Sequence, residues 1–266
     1  MTESATPRPQ LRQARLAEVV ADRLRDRILS GDVHDGDLLP KQEELFADFK
    51  VSRTAIREAL QILETERLIT VRRGNLGGAV VHAPDPDGVA YTMSLVLQSR
   101  AIELADAGLA LRLLEPLAAQ LCAGRTDRAD TVVPRLRLAN EALDLAIEAG
   151  DEIGAIEASR EFHEAVVDGC GNETMKIVLG AVETLWSAHE ASWAEEAALR
   201  GDFPDPSLRR RGLDEHAEIL RCIEAGDTEA VVNVSRHHLE GSQQYPLGDD
   251  AGLRVRAAAL RRRTLG

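Results

Sequence analysis

Val51-Ser52-Arg53-Thr54-Ala55-Ile56-Arg57-Glu58-Ala59-Leu60 is the stretch that decides the fold. Ser52 supplies a side-chain oxygen that can cap a helix N-terminus. Behind it, Ile56, Leu60 and Leu63 recur at helical spacing, with Leu68 at the exit, while Arg53, Arg57, Glu64 and Arg67 fall on the other side. One face of this helix needs a core; the other opens with hydroxyls and guanidinium groups. A helix is about as thick as the DNA major groove is wide, and its first residues are the ones that reach base edges. Ser52, Arg53, Thr54 and Arg57 occupy that first turn and a half. Arginine pairs with guanine through a bidentate fork or grips phosphates, and the free amides of a helix start attract the same anions.

On the N-terminal side, Leu39-Pro40-Lys41-Gln42-Glu43-Glu44-Leu45 reads as the start of a second helix, opened by Pro40 and given a buried face by Leu45 and Phe46. Before it, Leu16, Val20, Leu24 and Ile28 recur every fourth residue, and Ser30-Gly31-Asp32 stops that helix. On the C-terminal side, the extended runs Leu68 to Arg73 and Gly78 to His82 are joined by Gly74-Asn75-Leu76-Gly77, a turn suited to a hairpin. Three helices and a β-hairpin over residues 15–83 make a winged helix-turn-helix. Arg72 and Arg73 beside the glycine turn are placed to reach the adjacent minor groove or its phosphates.

The 266 residues carry 32 basic and 45 acidic groups, a formal charge of -13. Residues 1–83 are balanced at 13 and 13, residues 84–243 hold 14 basic and 30 acidic groups, and residues 244–266 hold 5 and 2. A polyanion therefore meets the chain locally, at the first domain, and the acidic middle stays off DNA. Cys122, Cys170 and Cys222 lie far apart and odd in number, which argues against a disulfide framework or a thiolate metal site and favours a reducing, cytoplasmic setting. Neither an eighteen-residue apolar run nor a signal-peptide pattern is present, so membrane-spanning and secreted classes are not expected. Residues 1–14, with Pro7 and Pro9, are expected to be disordered, and 84–93, beginning Pro84-Asp85-Pro86, to be a linker.

From residue 94 to 243 the pattern is helical throughout, which gives an all-α bundle of six or seven helices, large enough to enclose a pocket. Pro116 falls inside one helix and removes a ladder bond to the Arg112 carbonyl. Three histidines sit beside apolar helix positions: His163, His216 and His238. Singly, each reads as a surface or satisfied core histidine; converging, their neutral imidazoles would make a transition-metal site with positions left for water or a ligand carboxylate. The basic segment 244–266, with Arg254, Arg256 and Arg261-Arg262-Arg263, reads as a solvated helix or frayed end, or as an auxiliary phosphate contact.

The stretches 39–45 and 51–60, the latter for its SR-x3-REAL core, closely resemble the DNA-binding domain of GntR-family bacterial transcription regulators, and 72–79 resembles that family's wing. The resemblance implies DNA contact by Lys41, Ser52, Arg53, Thr54, Arg57, Arg72, Arg73 and Gly77. Many relatives have arginine two residues before the Leu45 position; Glu43 stands there instead, with Lys41 as a partial substitute. Downstream, Arg112-Leu113-Leu114-Glu115-Pro116-Leu117-Ala118-Ala119, Phe162-His163 followed by Gly171-Asn172, Glu215-His216, and Gly226-Asp227 with His238-Leu239 are similar to the FCD effector domain of the FadR subfamily.

What this second resemblance implies is a metal set of one Asp and three His, with His163, His216 and His238 at the histidine positions and Ser159 where the Asp is expected. Two readings stay open. One divalent zinc or nickel ion sits on three histidines with water completing the shell, or the cavity binds its effector without metal, by hydrogen bonds and the charge of Arg112. Arg112 and Ser159 are the candidate effector contacts; Arg112 alternatively pairs with an acidic neighbour. The function implied is a cytoplasmic, nucleoid-associated homodimer that binds a palindromic double-stranded operator, most often as a repressor, and answers to a small carboxylate-bearing metabolite. It is not an enzyme. The alternatives are a ligand-independent architectural DNA-binding protein and a zinc hydrolase with Glu161 or Glu215 as base; the latter leaves the winged helix unexplained.

Overall fold

The structure, a computed structural model of the chain, describes residues 8–72, 78–84, 86–201, 203, 205–243 and 252–263. They divide into two compact units, with the boundary after residue 85.

The first unit runs α1 (Arg8–Leu29), α2 (Gln42–Phe49), α3 (Arg53–Thr65), β1 (Ile69–Arg72) and β2 (Gly78–Val81). The strands pair antiparallel, Ile69 opposite Val81 and Arg72 opposite Gly78. The helices close on Leu24, Leu45, Ile56, Leu63 and Val81, all fully buried. A third extended piece lies on the free edge of β2. Leu39 N–H donates to the Ala79 carbonyl at 2.9 Å, and Val81 N–H donates to the Asp37 carbonyl at 2.8 Å. Edge groups of β2 are thereby satisfied, which the polar sequence of 36–39 did not announce.

Three expectations change here. Helix α1 begins at Arg8, so residues 8–14 are helical; Pro9 falls in its first turn, where a missing N–H costs nothing. Helix α2 begins at Gln42, two residues after Pro40, and its start is fixed by the Glu44 carboxylate accepting from Lys41 N–H at 3.0 Å. Phe46 is exposed, and Phe49, one turn after Leu45, packs on the core in its place. The hairpin turn 74–77 lies outside the described residues.

The second unit comprises α4 (Pro86–Ser99), α5 (Leu104–Gly124), the four-residue α6 (Arg128–Thr131), α7 (Val133–Ala149), α8 (Glu152–Gly169), α9 (Glu173–Arg200), α10 (Pro206–Ala225), α11 (Ala230–Ser242) and α12 (Ala257–Arg263). Seven of these, among the described residues, are thirteen residues or longer. The main core gathers Leu104, Leu111, Leu136, Phe162, Leu179, Leu185 and Ile223. Helix α5 packs against α8, α9, α10 and α11, so it forms the axis of the bundle. It continues unbroken through the buried Pro116.

The linker expected over 84–93 is largely helix: Pro86 opens α4, and Ala90 is buried against Ala181, Ala188 and Leu260. The end of the chain is also not a free tail. Leu104 N–H donates to the Leu253 carbonyl at 2.7 Å and Val255 N–H to the Ile102 carbonyl at 3.0 Å. Val255 and Leu260 are buried, so apolar residues set between the arginines dock residues 252–263 onto the bundle.

Candidate functional site

The serine cap of α3 forms as expected. Ser52 Oγ accepts from Ala55 N–H at 3.1 Å, while Ala55, Ile56, Ala59 and Leu60 are buried. Burial of that side leaves Ser52, Arg53, Thr54 and Arg57 exposed, with Lys41 exposed before α2 and Arg72 exposed at the end of β1. Arg73 and Gly77 lie outside the described residues. Between α2 and α3 the chain turns in three residues, and Lys50 takes a left-handed conformation (φ 52°) to close α2. Helix α3 is held from its other end: Arg25 on α1 donates from Nε and Nη2 to the Glu66 carboxylate at 2.8 and 2.7 Å. The helix that presents the arginines is therefore braced by a bidentate pair at its exit.

In the second unit, His163 on α8, His216 on α10 and His238 on α11 converge, all buried. His216 Nε2 lies 3.1 Å from His238 Nε2, which lies 3.3 Å from His163 Nε2. Their outer nitrogens are oriented by carboxylates: His163 Nδ1 meets Glu115 Oε1 at 2.5 Å, and His238 Nδ1 meets Glu215 Oε2 at 2.9 Å. A carboxylate takes the Nδ1 proton, so each of these rings, when neutral, turns an Nε2 lone pair toward the same point. Lone pairs do not bond one another; they bond a cation. Tetrahedral ligands at a metal–nitrogen distance of about 2.0–2.1 Å stand roughly 3.3–3.4 Å apart, which is the spacing seen. The donor set fits a borderline transition metal, with the carboxylate–histidine support usual around such ions. His216 is fixed differently, by stacking on Phe162 at 4.0 Å with its Nδ1 buried and unpartnered among the described residues.

Electrostatics agree with this arrangement. Burial opposes a charge on His163, but Glu115, helped by Glu183 and Glu190, carries its pKa up to about 9. Burial holds His216 well below the usual histidine range, and the neighbouring imidazoles push the same way. Burial also lowers His238, against the pull of Glu215. Two further acids are raised by burial: Glu183 to about 8, with Glu115 adding repulsion, and Glu190 to about 7, despite attraction to His163 and Arg160. The missing aspartate at 159 is thus offset by an outer ring of carboxylates, none of which the sequence reading assigned to the site. Glu115 had a signal, since it lies one turn after Leu111 on the buried face of α5.

A cavity of about 350 Å³ opens beside the cluster, walled by Ser159, Glu190, Trp193, Arg209, Arg211, Glu215 and His238 among others. Ser159 is there as expected, one turn before His163 on α8. Arg211 Nε donates to Glu215 Oε1 at 2.8 Å, so an Arg211–Glu215–His238 chain links the cavity wall to the cluster. Arg112 is placed elsewhere. Among the described residues it does not line this cavity, and its Nη1 donates to Gln243 Oε1 at 2.5 Å, so its partner is neither an effector carboxylate nor an acidic neighbour but a buried amide. No helix among the described residues is long and apolar enough to cross a membrane.

An exposed cationic helix start on a winged scaffold, joined in one chain to a helical domain with a polar cavity, defines a transcription regulator with separate DNA-binding and effector-binding parts, not an enzyme. Residues 16–80 match the family described as bacterial regulatory proteins, gntR family, and residues 108–241 match the FCD domain. The chain belongs to the GntR family. It is 30% identical over 226 residues to the Uxu operon transcriptional regulator of Escherichia coli (strain K12), covering 83% of this chain and 82% of that one. Over 98 residues, 36% of this chain and 39% of the other, it is 37% identical to the gluconate operon transcriptional repressor of Bacillus licheniformis. Its fold matches that of a Streptococcus agalactiae GntR protein with a TM-score of 0.66 at 24% identity, over 86% of this chain and 99% of that one.

Proposed function

We propose that the protein is a cytoplasmic, homodimeric repressor that binds a palindromic operator and is released by a small carboxylate-bearing metabolite held in the cavity beside the histidines. The observation that carries this reading is the cavity itself, because its wall contains His238 and its orienting partner Glu215. A filled core would have favoured an architectural protein that needs no ligand. Repression and a hydroxy-acid effector are in keeping with the relative named for the gluconate operon. Three free, buried cysteines suit a reducing compartment.

In this reading Ser52, Arg53, Thr54 and Arg57 meet base edges and phosphates in the major groove, Lys41 grips the backbone beside them, and Arg72, Arg73 and Gly77 form the wing contact. His163, His216 and His238 hold a zinc or nickel ion, which supplies a Lewis-acidic anchor for the effector carboxylate. Ser159 offers its hydroxyl to the bound metabolite. Occupation of the cavity pulls on the Arg211–Glu215–His238 chain and favours a dimer arrangement whose recognition helices no longer match the operator spacing.

Operator affinity, measured by fluorescence anisotropy on a duplex selected from random sequence, is expected to fall about tenfold or more on saturation with a library-identified hydroxy acid. Equal affinity with and without a ligand shown by calorimetry to bind would overturn the regulatory reading. Arg53→Ala and Arg57→Ala are each expected to weaken specific binding by about 1–3 kcal/mol in a folded protein; unchanged affinity in both would remove α3 from the groove.

A further inference from the structure

Helix α5 has a solvent face made of leucine alone. Between Asp106 and Gly124 its exposed residues are Leu109, Leu113, Leu117 and Leu121, at 46, 57, 42 and 41%. Spacing by four places them on one ridge along the helix, and the other sides of α5 pack on α8, α9, α10 and α11. A single exposed leucine needs no explanation. A three-turn ridge without one charged group, in a stretch (84–243) holding 30 acidic and 14 basic residues, does.

We propose that this ridge is the centre of a two-fold interface between copies of the chain, with α5 antiparallel to α5 of the partner subunit. The proposal rests on the dimer reading above and supplies the surface that reading leaves unassigned. Three observations select a second copy as the occupant. First, the ridge is symmetric about position 115: a two-fold axis there brings Leu113 against the second copy's Leu117 and Leu109 against its Leu121, so the surface complements itself. Second, two domains of the same strong negative charge repel wherever their carboxylates face, and this ridge is where apolar surface can be removed from water without that cost. Third, an uncharged ridge on an acidic domain offers nothing to DNA or to an anionic lipid surface. Rows of residues four apart interdigitate at a crossing angle of about -50°, the commonest helix packing. A standard interface buries about 800 Å² per partner, so the four leucines form its apolar centre and flanking elements its rim.

The test uses the full chain. Sedimentation equilibrium across a wide concentration range is expected to show a dimer, and Leu113→Glu combined with Leu117→Glu to raise its dissociation constant about thirtyfold or more. Because both leucines are exposed in the protomer, helical circular dichroism should not change. A dimeric double variant would overturn the proposal and leave the dimer reading intact; a monomeric wild-type chain would overturn both. If the glutamates unfold the domain, cysteine pairing decides. Leu113→Cys with Leu117→Cys is expected to cross-link two copies under mild oxidation far faster than either single variant, since position 113 faces 117 and not itself. Faster cross-linking by a single variant, or none by the double, would overturn the antiparallel arrangement.

Discussion

At the scale of single residues, the histidine site is made by what stands behind the ligands. Glu115 and Glu215 each hold an Nδ1 and so decide which nitrogen of His163 and His238 faces inward. Losing such an orienting carboxylate costs about 10–100-fold in metal affinity at characterised sites. Glu115→Gln keeps the shape and a hydrogen-bonding oxygen but removes the negative charge. It is expected to weaken zinc binding by about that factor, read by competition with a chromophoric chelator, while His163→Ala abolishes it. Equal zinc affinity in wild type and Glu115→Gln would show that the carboxylate does not support the ligand. The three histidines were legible because each sits next to an apolar helix position. Their partners were less so: Glu215 is next to His216 in sequence yet serves His238 on another helix, and only packing makes that pairing. Arg112 was misplaced for the same reason, since its partner Gln243 lies 131 residues away.

At the scale of elements, α3 was readable because its signals are local: a capping serine, a 3.6-residue apolar period, and arginines on the free side. Ser52 serves two ends that substitution can separate. Ser52→Ala removes the acceptor for Ala55 N–H and is expected to cost about 1 kcal/mol of stability. Ser52→Asp keeps an acceptor at the cap, so thermal stability should hold near wild type, but it sets a carboxylate where phosphate approaches and should lower operator affinity more than alanine does. If aspartate bound operator as well as serine does, Ser52 would be a cap alone. Proline signals were harder to read. Pro86 was taken to break the chain and instead opens α4, because the same missing N–H that forbids a helix interior suits its first turn. The edge segment 36–39 was hidden because its pairing with β2 comes from backbone groups, which no side-chain pattern encodes.

At the scale of the whole chain, the last segment shows where local reading fails. Residues 252–263 look like a basic tail, yet Val255 and Leu260 are buried and the backbone bridges to residues 102–104. Burying a valine or leucine side chain contributes about 1.5–3 kcal/mol, so a chain ending at Gln243 is expected to lose several degrees in the melting temperature of its helical domain. The docking also depends on pH. His189 Nε2 accepts from Arg256 N–H at 3.0 Å while His189 Nδ1 sits 2.8 Å from the Leu185 carbonyl, an arrangement that requires the neutral ring. Burial, with the charge of Arg256 added, lowers the His189 pKa in the folded chain, against the pull of the Leu185 carbonyl. The unfolded chain therefore binds a proton first as pH falls through about 6.5, and this contribution to stability, complete above that value, is lost toward the lower folded pKa. The melting-temperature gap between the intact and shortened chains should accordingly shrink between about pH 8 and about pH 5. A gap independent of pH would mean that the segment docks through its apolar residues alone; no gap at all would return it to solvent.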